Sequence, residues 1–300
     1  MANSVAAGMT DNPIGQDRGN AATVYPLSLS YYTVPELTPP ETVTVAAETG
    51  CRHVGLRLLG GLPGRGGMPL MEDAALRRET LRRMQECGVT ALDANTARIT
   101  PETDMDAFRP FLEVAAELGA RHVLATGDDP EEGRLADRLG RLCDDAAPFG
   151  LSVQLEFVPW LSVPDVNAAA RLVGRVGRRN LGIALDALHF QRSRGTLVDV
   201  AAIPSAWFAY MHLCDAPGAW ADDKDSLLHA AVKERLFPGE GAIDLRGLLQ
   251  ALPHGIPLAL EIPTAELART VGARDRVARA VAATRRLLAT LPPHEDEKES

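Results

Sequence analysis

Residues 181–190 read LGIALDALHF: five apolar positions, an aspartate, then a second apolar stretch carrying a histidine. A run this short and this uniformly apolar reads as a strand covered on both faces, as in parallel sheets. Similar runs recur on either side of it. Downstream are WFAYMHL (207–213) and IPLALEI (256–262). Upstream are LSVQLEF (151–157), HVLATG (122–127), VTALDAN (89–95), HVGLRLL (53–59) and YPLSLSY (25–31). Helical patterns fill the gaps at 39–50, 72–87, 104–118, 131–149, 164–176, 196–203, 244–252 and 270–290, several ending in glycine just before the next strand. Strand and helix alternate eight times, which predicts an α/β fold of the (β/α)8 barrel type. A doubly wound open sheet would place a glycine-rich phosphate loop after its first strand. Here SYYTVPEL follows instead.

The barrel is expected over 23–291 as a single domain, with a polar tail at 1–22 and a charged tail at 292–300. The chain has 300 residues, 46% of them hydrophobic, enough for one barrel core. Its net charge of −9 speaks against nucleic acid and anionic membranes as partners. A small-molecule substrate fits better, since a few local arginines suffice even for an anionic one. No secretory signal and no apolar run of about 18 residues is visible, so a soluble cytoplasmic protein is expected. Cys51, Cys87, Cys143 and Cys214 form no CxxC pair and read as reduced, mostly buried thiols.

In a (β/α)8 barrel the chemistry lies where the strands end. Strand 5 ends in Glu156, strand 6 in Asp186, strand 7 in His212 and strand 8 in Glu261. Each taken singly has a structural account: a rim ion pair for either glutamate, a helix cap for Asp186, a core position for His212. Together, on four successive strands, they are metal ligands. A shared divalent cation removes the cost of burying several charges side by side. The oxygen-rich set favours Mn2+, with Mg2+, Co2+ or Zn2+ as alternatives. Trp160 and Trp220 are candidates to line the pocket. Arg57, Arg98 and Arg192, after strands 2, 3 and 6, are candidates to bind substrate. Asp215 is a candidate to orient an imidazole or a substrate hydroxyl. The segment 216–241 is long for a βα loop and reads as a lid.

LEF at 155–157, LDALHF at 185–190, HLCDAP at 212–217, FPGEGAIDL at 237–245 and LEIP at 260–263 together resemble the xylose isomerase-like barrel superfamily of sugar-phosphate isomerases and epimerases. The resemblance spans about residues 24–290. It implies Glu156, Asp186, His212 and Glu261 as ligands of one metal ion, Glu156 and Glu261 as the acid–base pair, and His189 as a substrate contact. It also implies a homodimer or homotetramer. Apurinic endonucleases of the same superfamily carry extra histidines on strands 2 and 3; GLRLLGG and LDANTAR have none. The implied activity is isomerisation or epimerisation of a sugar or sugar-like keto compound, by proton abstraction next to a metal-bound carbonyl through an enediolate. Dehydration or β-elimination on the same scaffold is the alternative, and a non-catalytic sugar-binding barrel ranks below both. Epimerases of this group often carry an arginine soon after the strand-7 histidine. Ala216 and Pro217 stand there instead, so the distal contacts are expected to differ.

Overall fold

The computed structural model describes residues 25–60 and 69–292. The expected tails, 1–22 and nearly all of 292–300, lie outside the described residues. Eight strands close into a barrel in chain order: β1 (Leu27–Leu29), β2 (His53–Arg57), β3 (Thr90–Ile99), β4 (His122–Gly127), β5 (Ser152–Glu156), β6 (Leu181–Asp186), β7 (Phe208–Leu213) and β8 (Leu258–Leu260). Neighbours pair in parallel throughout, and β1 pairs with β8 to close the ring.

Each crossover helix is delimited by its own sequence. Helix 74–87 starts on Asp73, whose carboxylate accepts from the Ala75 and Leu76 amides. It stops at Gly88, which turns the chain at φ 66°, a conformation that costs a residue with a Cβ more than it costs glycine. The main apolar cluster lies between the strands and the surrounding helices. A separate small cluster of Leu92, Leu124, Ala184, Tyr210 and Ala259 fills the barrel interior.

Side chains alternate between these two sides along each strand. Ser152, Gln154 and Glu156 share one face of β5; Tyr210 and His212 share one face of β7, where their rings meet. A Cβ at Gly182 on β6 would come within 2.5 Å of the Gln154 amide oxygen, so the glycine makes room for that polar side chain. The strand-end position therefore lifts Glu156, Asp186, His212 and Glu261 to the C-terminal mouth.

The structure departs from the sequence reading at four places. β3 continues to Ile99, so Arg98 lies within the strand and not after it. β8 stops at Leu260, leaving Glu261 one residue beyond it. His189 lies in a one-turn helix, Ala187–Arg192, and not in a loop. The expected lid loop contains a helix, Lys224–Lys233, capped by Asp223 and anchored by buried Leu227 and Ala231. Two apolar positions at i and i+4 give too weak a periodic signal to stand out in a polar stretch.

All four cysteines are free, and Cys51, Cys143 and Cys214 are buried. Burial pushes the Cys214 thiol up to about 12, which removes it as a nucleophile. Among the described residues no helix is long and apolar enough to cross a membrane.

Candidate metal centre and active site

Glu156, Asp186, His212 and Glu261 converge, all buried, with one potential ligand atom from each lying within 4.8 Å of the others. His212 is at the centre. Its Nδ1 is 2.9 Å from Glu156 Oε1, 3.8 Å from Glu261 Oε2 and 4.0 Å from Asp186 Oδ2. β6 and β7 are in register here, pairing Asp186 with His212. Asp186 also caps the helix that follows it, accepting from the His189 amide at 2.9 Å. The capping role foreseen for Asp186 alone and its place in the cluster thus use different oxygens of one carboxylate.

A residue not singled out from the sequence completes the cluster. Arg235 is buried and donates from Nη1 to Asp186 Oδ2 at 2.6 Å. Its Nη2 lies 3.0 Å from Glu261 Oε2. The backbone holds it there. Leu236 and Asp215 exchange two hydrogen bonds, and the Arg235 amide donates to the Pro263 carbonyl at 2.8 Å. A short extended segment is thereby laid across the ends of β7 and β8. No arginine stands directly after His212; this one arrives from the far side of the long loop. The signal was present in the sequence: Arg235 stands three residues before the Pro-Gly-Glu-Gly turn.

The electrostatics follow from this packing. For Asp186, burial works against ionisation, but the charges of Arg235, His189 and His212 hold the carboxyl well below its usual range. For His212, burial works against protonation. The Glu261 charge, the Glu156 hydrogen bond and the Glu156 charge override it and raise the imidazole to about 10. Three carboxylates and one guanidinium leave two negative charges when the imidazole is neutral. A divalent cation balances them. Two ligands on opposite sides of an ion with bonds of about 2.1 Å lie about 4.2 Å apart, close to the span of the four donors. The residues present therefore fit such an ion in both charge and size.

The cleft above the cluster measures about 100 Å³ and is lined in part by Asn95, Arg98, Thr126, Trp160, His189 and Leu228. Trp160 and His189 meet edge to face, with ring centres 5.3 Å apart. Arg98 reaches the cleft while paired with Asp128 at 2.5 Å.

The structure places the other candidate residues outside the lining of this cleft. Asp215 does not face the cleft. Its two oxygens accept from the backbone N–H groups of Ala216, Gly239, Gly241 and Ile243, so it clasps the Pro-Gly-Glu-Gly turn. Arg192 and Trp220 are stacked on each other, 4.5 Å from guanidinium to ring centre, away from the cleft lining. The Trp220 indole N–H is bound to Asp222. Arg57 lies behind Tyr32 in a neighbouring cavity. Spacing along a strand fixes which residue reaches the mouth, but not the direction of a side chain on a loop.

The family model described as xylose isomerase-like TIM barrel matches residues 43–287. This chain belongs to that family. An inosose isomerase of Bacillus subtilis (strain 168) is 29% identical over 158 residues, 48% of this chain and 54% of that protein. The chain therefore matches about half the length of that curated relative. A 3-dehydroshikimate dehydratase of Pseudomonas aeruginosa is 33% identical over 136 residues, 44% of this chain and 21% of that protein. Among solved structures, the IolI protein with a bound zinc atom superposes with a TM-score of 0.73 at 20% identity, covering 90% of this chain and all of the other. At that identity the likeness supports the fold.

Proposed function

We propose that this protein is a divalent-metal-dependent enzyme that removes a proton next to the carbonyl of a small polyhydroxylated ketone and returns it as an isomerase or epimerase. The observation that carries the reading is the buried cluster of four donors whose charge, with Arg235, a divalent ion balances. Glu156, Asp186, His212 and Glu261 would hold the ion, Mn2+ or another of the hard divalent set. The ion's contribution there is to polarise a carbonyl and offset developing negative charge.

The chain's own residues divide the remaining work. Glu156 has His212 as its hydrogen-bond partner, and its carboxylate lines the cleft. It is the base. Glu261 accepts from Ser30 at 3.0 Å through one oxygen and faces Arg235 through the other. Trp160 and His189 give the substrate an aromatic wall, and Leu228 with Ala231 and Val232 from the lid helix keeps water out.

That inequality between the two glutamates favours a second reading. Epimerisation asks both carboxylates to exchange protons. Dehydration needs one base to take the α-proton and a donor for the departing hydroxyl, which suits a site in which Glu261 is held at both oxygens. The relatives named inosose isomerase and 3-dehydroshikimate dehydratase supply the test substrates. Chelator-treated protein is reloaded with Mn2+, Mg2+, Co2+ or Zn2+ and incubated with each in deuterated water. Deuterium appearing at the α-carbon with isomerised product supports the first reading. Loss of water with rising enone absorbance supports the second. Failure to take up any of the four ions would sink both.

A further inference from the structure

Arg57, the last residue of β2, is only 6% exposed. Its guanidinium carbon lies 5.5 Å from the centre of the Tyr31 ring and 4.8 Å from that of Tyr32. Such rings attract the cation through its faces. The N–H groups lie in the guanidinium plane, away from the ring faces, and are free to take an acceptor. Both terminal nitrogens, Nη1 and Nη2, are buried with no hydrogen-bond partner among the described residues.

Two other buried arginines show what this position lacks. Arg235 meets Asp186 and Glu261; Arg276 meets Glu36 and the Thr33 carbonyl. A buried cation left without an anion is costly, and cation–π contact offsets only part of that cost.

Arg57 opens on a cavity of about 250 Å³ whose lining includes Tyr31, Tyr32, Lys233, Thr264, Glu36 and Arg276. Glu36, the carboxylate in that wall, is taken up by Arg276. Lys233 forms no ion pair among the described residues, and with Arg57 it leaves the cavity positive in a chain of net charge −9. Tyr32 and Val232 line both this cavity and the metal cleft, so the two are neighbours.

We propose that this cavity is an anion subsite beside the metal centre, in which the in-plane N–H groups of Arg57 hold a carboxylate or phosphate and Lys233 adds charge at its edge. A bidentate guanidinium–oxyanion pair supplies the acceptors that Arg57 lacks. The anion is either the acidic end of the substrate or a free ion.

Inorganic phosphate titrated calorimetrically into the chelator-treated full chain at low salt tests the site without its metal. The expected result is one saturable site per chain, with a tyrosine absorbance difference from Tyr31 and Tyr32. Arg57→Met should weaken it at least tenfold and Lys233→Met several-fold, with metal uptake unchanged in both. No saturable binding, or wild-type affinity in Arg57→Met, overturns the site. Should Arg57→Met not fold, wild-type affinity in Lys233→Met overturns it. A metal failure with intact phosphate binding would count against the proposed activity alone. The source of the anion, which does rest on that activity, follows from kinetics. A rise in KM for 3-dehydroshikimate but not for inosose in Arg57→Met assigns the anion to the substrate. A response of inosose turnover to phosphate, lost in Arg57→Met, assigns it to a free ion.

Discussion

The barrel holds polar residues at two levels, in opposite ways. At the C-terminal mouth Glu156, Asp186 and Glu261 gather around His212 and Arg235, and the imidazole is raised to about 10. Further down the interior, His122 pairs with Ser152 at 2.6 Å and packs against Tyr210, with no carboxylate partner among the described residues. There burial and then the Arg121 charge push the imidazole down to about 4. The same residue type is driven cationic at one level and neutral at the other. The difference shows which polar cluster serves the fold. A neutral pair such as His122–Ser152 satisfies itself. Three carboxylates gathered with one guanidinium leave an excess of negative charge that a bound cation would offset.

Breaking the upper level at its base should give the largest effect. Glu156→Gln keeps an oxygen donor but cannot accept a proton at neutral pH. We expect kcat/KM to fall by about 10²–10⁴, the usual worth of a general base. Steady-state assay of the metal-loaded variant measures this, and near-wild-type turnover would remove Glu156 from that role.

Arg235→Met probes the charge balance itself. In the chelator-treated protein it leaves Asp186 and Glu261 facing each other with only His212 as counter-charge. The expected loss is about 3–5 kcal/mol of stability. A divalent ion should restore part of it, since the ion supplies the charge that was removed. Urea unfolding with and without metal measures both quantities. A variant as stable as wild type in chelator would show that Arg235 is not what holds the carboxylates.

The lower level should respond most gently, and only to acid. The folded value for His122, about 4, lies below its ordinary 6.5, so the unfolded chain binds the proton first as pH falls. Its contribution is therefore complete above pH 6.5 and declines as pH drops toward 4, by at most about 3 kcal/mol. Buried Asp93, raised to about 6 chiefly by burial, acts with the opposite sign over part of this range. The informative quantity is thus the difference between wild type and His122→Gln. The variant should show a flatter unfolding midpoint between pH 6.5 and 4, and parallel profiles would refute the assignment.

Much of this molecule follows from local pattern. The eight apolar runs lie where the strands are, because a strand covered on both faces must be apolar along its length. Four of them end at or beside a ligand-type residue, and period-two alternation then carries Glu156, Asp186 and His212 to the same mouth. β3 was read too short, since its polar end, Asn-Thr-Ala-Arg, does not look like a buried strand. The helix at 224–233 is hard to see in the sequence because its buried positions, Leu227 and Ala231, make only a narrow apolar stripe.

What only the tertiary structure decided concerns residues whose partners are distant in sequence. Arg235 reaches Asp186 across 49 positions. Asp215 turns away from the cleft because four backbone N–H groups of the Pro-Gly-Glu-Gly turn claim its oxygens. Arg57 is enclosed by two tyrosines from the segment after β1. Periodicity fixes the face a strand residue occupies, because the backbone sets that locally. The fate of a long polar side chain depends on which charges the closed barrel brings within reach. Only closure, with β1 against β8 and the loops packed over the mouth, determines that.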